Sequence, residues 1–242
     1  MISQSTLLLI ILWCLYFVLH SVLASLRVKS YVADHWPSLM PGYRLFFNSV
    51  AILLLLPPLY IMFAYPGETL WVWQGPWLYF ANGLALLAVA GFIWSLRYYD
   101  GGEFSGLKQL RGNTRTVEDQ ESFHISPLHR YVRHPWYALG LVIIWTRDMN
   151  VAFLVTSIML SGYFIYGSRL EERKLLQYHG EVYRRYREKV PALVPLPWRY
   201  LSRDAANELL GQTKLTIQVF TLPGSTSPAV GFRTFPQRKP TP

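Results

Sequence analysis

The sequence predicts an all-α, polytopic membrane helix bundle with about five transmembrane helices, a C-terminal helical hairpin and a cytoplasmic amphipathic helix. Three observations lead there. Only 15% of the 242 residues are charged while 52% are hydrophobic, against about 25% charged in an average soluble domain. Several apolar runs are long enough for a roughly 30 Å hydrocarbon layer and carry no charge. The basic residues behind the net charge of +9 are gathered in alternate connecting segments.

The first run, Ser5 to Leu26, lacks Lys, Arg, Asp and Glu and crosses the layer at about 1.5 Å per helical residue. Val22-Leu23-Ala24 resembles a signal-peptide cleavage site, but the positive region that should precede it is missing. An uncleaved span is expected. The second run, Leu45 to Tyr65, has Pro57-Pro58 in its middle, which should kink a helix that its neighbours then support. Gly75 to Leu96 is the third. Pro135 to Thr146 is too short alone, but Met149 to Ser168 follows after only Arg147 and Asp148. These two predict a tight helical hairpin turning at Arg147 to Asn150.

Orientation follows from where Lys and Arg lie. No basic residue lies in Pro66 to Gln74 and one lies at the hairpin turn, so a five-span layout puts 22 of 23 on one side. The expectation is a multi-pass protein of a bacterial inner membrane, N-terminus outside and C-terminus cytoplasmic. That distribution explains the basic charge through topology and anionic lipid headgroups, so membrane lipids are expected partners and nucleic acid is not. The lone Cys14 allows no intramolecular disulfide. Three parts are expected: N-terminal spans over 1–97, a core with the hairpin over 98–211, and a disordered tail over 212–242. The tail has 15 Pro, Gly, Ser or Thr in 31 residues and no acid, a composition that cannot pack a core.

The densest polar constellation brackets the hairpin. Arg130-Tyr131-Val132-Arg133-His134-Pro135-Trp136-Tyr137 leads in, and Arg169-Leu170-Glu171-Glu172-Arg173-Lys174 leads out. A hairpin returns both to one membrane face. Pro135 suits the first position of a helix, and the free N–H groups there, beside Arg133 and His134, make an anion site. Glu171 and Glu172 can accept ligand hydroxyls or balance a ligand's positive charge. Equally, they can be interfacial ion pairs of little energy, Trp136 and Tyr137 belt aromatics, and Gly140 a packing contact. Beyond a bend at Gly180, Leu175, Leu176, Val182, Tyr183, Tyr186 and Val190 recur at helical spacing among Arg184, Arg185, Arg187 and Lys189. This is an amphipathic basic helix, on which Tyr183 and Tyr186 are first read as packing residues.

These residues carry a resemblance. RHPWYALG at 133–140, a two-span hairpin, then LEERKLLQYHGEVYRRYREKVPALVP at 170–195 resemble the isoprenylcysteine carboxyl methyltransferase family of membrane enzymes. Arg133, His134, Pro135, Tyr137, Gly140, Glu171, Glu172, Gly180, Glu181, Tyr183, Tyr186, Val190 and Pro191 match its pattern in order. LHSVLASLRVK at 19–29, YRLFFN at 43–48 and FSGLKQL at 104–110 are more similar to the bacterial branch, the methanethiol S-methyltransferases and denitrification-associated membrane proteins.

The resemblance implies an enzyme that transfers a methyl group from S-adenosyl-L-methionine, held in a cytoplasm-facing pocket, to a lipophilic small-molecule or lipidated acceptor arriving from the bilayer. It implies cofactor contacts at His134, Pro135, Tyr137, Gly140, Glu171, Glu172 and Tyr183, and catalytic roles for Arg133, Glu172 and Arg173. Arg133 or Arg173 would orient a carboxylate acceptor, whereas Glu172 or His134 would deprotonate a thiol. The competing readings are an NADPH-dependent membrane reductase and a non-catalytic membrane protein associated with nitrogen-oxide metabolism.

Overall fold

The computed structural model describes residues 3–114 and 125–211. The expected disordered tail therefore lies outside the described residues. Among those residues, four helices are long and apolar enough to cross a membrane, and a shorter apolar helix forms one arm of the hairpin, giving the polytopic α-bundle. In chain order these are α1 (Gln4–Ala24), α2 (Leu26–His35), α3 (Met40–Ala64), β1 (Thr69–Trp71), α4 (Pro76–Ser95), α5 (Gly101–Ser105), α6 (Leu107–Arg111), α7 (Pro135–Trp145), β2 (Met149–Asn150) and α8 (Val151–Lys189).

Helix ends fall where capping chemistry puts them. Ser3 accepts from the Thr6 N–H, and Ser25, extended at φ −71° and ψ 144°, ends α1 while its hydroxyl accepts from Val28 N to start α2. The α3 helix runs through Pro57 and Pro58 as one element, with Pro58 buried. Neighbouring helices thus support the segment that the prolines weaken.

Packing is organised around α8. On one side, Leu9 and Trp13 of α1, Ile61 and Met62 of α3 and Ala152 of α8 form a buried cluster. The Trp13 indole N–H donates to Thr156 Oγ1 at 3.0 Å, which satisfies a polar group that lipid could not. On the other side, Ala81, Ala85 and Ala88 of α4 are buried, and a Cβ on Gly91 would touch Leu139 of α7. The small-residue stripe of the third span therefore packs a helix against a helix. Large apolar side chains point outward along the spans, Phe63 at 74% and Leu86 and Leu87 at 70% exposure, as a lipid-facing surface requires.

The hairpin departs from the expected tight turn. Trp145 at the end of α7 donates from Nε1 to Ser161 at 2.9 Å, and Ser161 lies ten residues into α8, roughly 15 Å from its start. Residues 146–150 cover that distance without a helix. Their polar backbone is satisfied by the segment joining α3 to α4. There, β1 pairs antiparallel with β2, Val151 N donates to Glu68 O, Ala152 N donates to Pro66 O, and Trp73 N donates to Asp148 Oδ1. The short α7 is thus completed by a two-stranded sheet that apolar run lengths could not announce.

At the other end of the bundle, α5 and α6 dock on the start of α3. The Asn48 amide donates to the Phe104 and Ser105 carbonyls, and Arg44 Nε donates to Phe104 O. Gly106 joins α5 to α6 with φ +92°, where a Cβ would lie 2.7 Å from the Leu45 backbone nitrogen. Gly106→Ala should therefore cost about 1–3 kcal/mol and lower the unfolding midpoint in detergent by several degrees. Gly101→Ala, where a Cβ meets nothing within 4 Å, should leave it unchanged. Equal midpoints for both variants would show that this joint is not a fixed contact.

Candidate functional site

The candidate site forms where α7 begins, because three chain segments converge there. His134 is non-helical at φ −122° and ψ 72°, and Pro135 occupies the first turn of α7. The chain leaving α8 then lies against this start: Arg133 N donates to Pro191 O at 2.9 Å and His134 N to Ala192 O at 3.0 Å. It reaches that position because α8 breaks its helical dihedrals at Gly180, with φ 49° and ψ −122°. A residue without a Cβ tolerates that conformation best. Past the bend, Tyr183, Tyr186 and Val190 bury themselves with Leu201 and Leu209, and Tyr186 Oη donates to His129 O at 2.7 Å.

Within this frame the structure brings together Arg133, His134, Tyr137, Glu171 and Glu172. The Arg133 guanidinium grips Glu172 Oε1 through Nε at 2.8 Å and Nη2 at 2.7 Å. Its Nη1 donates to the carbonyls of Arg187 and Val190. The same Glu172 oxygen lies 3.2 Å from His134 Nε2, and Glu171 Oε2 lies 3.4 Å from His134 Nδ1. Tyr137 Oη reaches Glu171 Oε2 at 3.5 Å. Stacked rings back this cluster: His134 on Tyr137 at 5.5 Å, and Tyr137 on Phe164 of α8 at 5.1 Å.

The electrostatics separate the two acids. Glu172 is 10% exposed, and Glu171 is 48% exposed. Burial pushes the Glu172 carboxyl up, but His134 and Arg133 outweigh it and hold the value below the usual carboxylate range. Burial likewise pulls His134 down, while Glu171 and Glu172 together hold it above the ordinary histidine value. Only an imidazolium can donate from both ring nitrogens, which is what two flanking carboxylates demand. Glu172 is thereby matched inside the protein, and Glu171 has capacity left for a ligand.

The remaining expected residues are placed differently. Arg133, expected as a ligand-facing cation, is turned inward by Glu172 and the two carbonyls. Arg173 is exposed beyond the cluster. Gly140 faces Phe164, whose ring a Cβ would meet at 3.3 Å, so it sets the approach of α7 to α8. Tyr183 is 1% exposed within the packing cluster. The residues that the sequence reading missed are Phe164, which the stack requires, and the carbonyls of Pro191 and Ala192. A hydrophobic residue within an apolar span gives no signal of its own, and a carbonyl gives none at all. A cavity of about 380 Å³ adjoins Glu172, lined also by Ser168, Arg169, Pro191 and Val194.

The chain is 29% identical to a methanethiol S-methyltransferase of Pseudomonas sp. over 193 residues, 76% of this chain and 71% of that protein. It is 29% identical to the enzyme of that name from Mycobacterium tuberculosis over 211 residues, 82% of each. A methanethiol S-methyltransferase of Pseudomonas deceptionensis is 34% identical over 115 residues, 47% of this chain and 42% of that protein. No family profile matches the chain, and no solved structure matches it significantly. These relatives, together with the four apolar helices, support a membrane methyltransferase.

The ion cluster has a pH signature. His134, raised in the folded state, contributes stability that is complete below the ordinary value of 6.5 and is lost as pH rises through its folded value. Glu172, lowered, contributes stability that is complete above 4.5 and is lost as pH falls through its folded value. The unfolding midpoint in detergent should therefore decline on the alkaline side, and His134→Gln should flatten that decline between pH 6.5 and 9. An alkaline slope identical in parent and variant would remove the imidazolium from the account.

Proposed function

From relatives named methanethiol S-methyltransferases, we propose that the chain transfers a methyl group from S-adenosyl-L-methionine to a lipophilic thiol. The reading rests on one observation: a half-exposed carboxylate, Glu171, held beside the first turn of α7 by groups that are otherwise paired with each other. The donor set fits the cofactor. Its ammonium and ribose hydroxyl hydrogens need acceptors, which Glu171 supplies, and its carboxylate needs N–H donors, which the first turn of a helix supplies. Bound there, it brings an electrophilic methyl group on a sulfonium.

The protein's contribution is then position and dryness. Arg133 and His134, fixed on Glu172, hold α7 against α8 so that Glu171 and Tyr137 stay in register. The Tyr137–Phe164 stack presents an apolar wall that keeps water from the reacting atoms. Displacement at a methyl carbon needs no acid on the leaving group, so orientation and desolvation carry most of the acceleration. The thiol preference follows the relatives, which are named for methanethiol.

Calorimetry with S-adenosylhomocysteine on detergent-solubilised protein tests this. Binding by the parent should weaken about tenfold or more in Glu171→Gln, equivalent to about 1.4 kcal/mol, and stay unchanged in Arg185→Ala on the exposed surface. Absent binding by the parent, or equal affinity in all three proteins, rejects the site. We further propose that the N-terminus lies outside and the site faces the cytoplasm, since 22 of 23 basic residues then lie inside. Reporters fused after Pro66 and after Gly211 should give opposite sides, and agreement between them rejects this layout.

A further inference from the structure

A second cavity is larger than the one beside Glu172. It encloses about 890 Å³ between α1, α3 and the α5–α6 pair, on the same end of the bundle as the candidate site, and His20 lines it. His20 lies in α1, in the Leu19–Lys29 stretch that runs on into α2, and the methyl-donor cluster does not use it. Ionisable side chains within membrane spans are costly and are retained for function.

The surroundings of His20 allow the tautomer that can act as a base. Its Nδ1 lies 2.7 Å from Tyr163 Oη, and that oxygen lies 3.2 Å from Ser21 Oγ. Ser21 can accept the tyrosine proton, which lets Tyr163 Oη accept from Nδ1–H and leaves the lone pair of Nε2 for a molecule in the cavity. Phe47, 5.0 Å from the imidazole centroid to centroid, steadies the ring from α3. The cavity extends along α3 from Met40 to Ile52, about 18 Å of helix, and Ile52 is 63% exposed toward the lipid side. At its polar end stand Lys29, Arg44 and Lys174, with Glu103 as the acid among the lining residues.

The link to the donor cluster runs through α8. Tyr163 binds His20, and its neighbour Phe164 stacks on Tyr137. Lys174 reaches the cavity one turn after Glu171. One helix therefore carries contacts to both places.

Resting on the methyltransfer reading above, we propose that this cavity is the acceptor chamber, that its substrate is a long-chain thiol, and that His20 Nε2 removes the thiol proton. Alkyl thiols are largely protonated at neutral pH, and the thiolate is the nucleophile. The S–H bond breaks, the proton passes to Nε2 and the electron pair stays on sulfur. That sulfur bonds to the methyl carbon as the carbon–sulfonium bond breaks, leaving its electron pair on the donor sulfur. The products are a thioether and S-adenosylhomocysteine, and the imidazolium returns its proton to water as they leave. The nearby lysines and Arg44 favour the transient thiolate. Methanethiol, with two heavy atoms, leaves most of such a chamber unfilled, whereas a chain of eight or so carbons lies along α3.

The test uses the full-length protein in detergent, with 1-octanethiol, methanethiol and 1-octaneselenol as acceptors. The parent should prefer 1-octanethiol to methanethiol by tenfold or more in kcat/KM. Substituting Ala51→Trp in the cavity wall should erase that preference. His20→Gln should lower kcat with 1-octanethiol by thirtyfold or more, keep S-adenosylhomocysteine affinity within twofold, and retain near-parent turnover of 1-octaneselenol. The selenol is already ionised at neutral pH and needs no base. Should His20→Gln fail to fold, Tyr163→Phe, which keeps the ring and removes the contact to Nδ1, should lower kcat severalfold with the same affinity and selenol readouts. Parent-like thiol turnover in His20→Gln, or equal losses with thiol and selenol, overturns the base. No preference for the longer thiol overturns the chamber. Lost S-adenosylhomocysteine binding in the parent would instead strike the donor site.

Discussion

The grip of Arg133 and His134 on one carboxylate oxygen of Glu172 is the interaction through which the rest of the site is arranged. It joins the start of α7 to α8 at a point where neither helix could be held by apolar packing alone, since both emerge there from their apolar stretches. Buried ion pairs pay heavily in lost hydration, and much of their Coulomb gain goes to offset that loss. Here additional hydrogen bonds from Arg133 to the Arg187 and Val190 carbonyls meet the remaining demand. The cluster also ties the bent end of α8 to its straight part, so the Gly180 bend, the burial of Tyr186 and the α7 start depend on one another.

Much of the architecture was legible in the residues. Uncharged run length located α1, α3 and α4 within a few residues, and the change of composition at Arg169 marked where α8 leaves its apolar stretch. The bend followed from the glycine at 180, and the packing role of Tyr186 from helical spacing. The gathering of His134, Tyr137, Glu171 and Glu172 was readable from the hairpin, because two antiparallel helices return the chain to its starting level. What escaped was long-range and backbone-borne. β1 is three residues long, and its partner lies about eighty residues away, so no periodicity could signal it. The inward turn of Arg133 depends on carbonyls that approach only after α8 has bent. The division of labour between Glu171 and Glu172 likewise rests on exposure, which adjacent identical residues do not advertise.

The two-stranded sheet bears on how molecules reach the interior. Irregular backbone at membrane depth persists only where other protein covers it, and residues 146–150 are covered by the 66–73 segment. The sheet therefore stoppers the hairpin at the end away from His134. In the methyl transfer proposed above, a polar donor and its spent form would then pass at the His134 end, and lateral passage from the lipid would be left to the acceptor and its more apolar thioether. A chemically irreversible transfer in such a vessel would also be directional, with charge entering and leaving by one side and grease by the other.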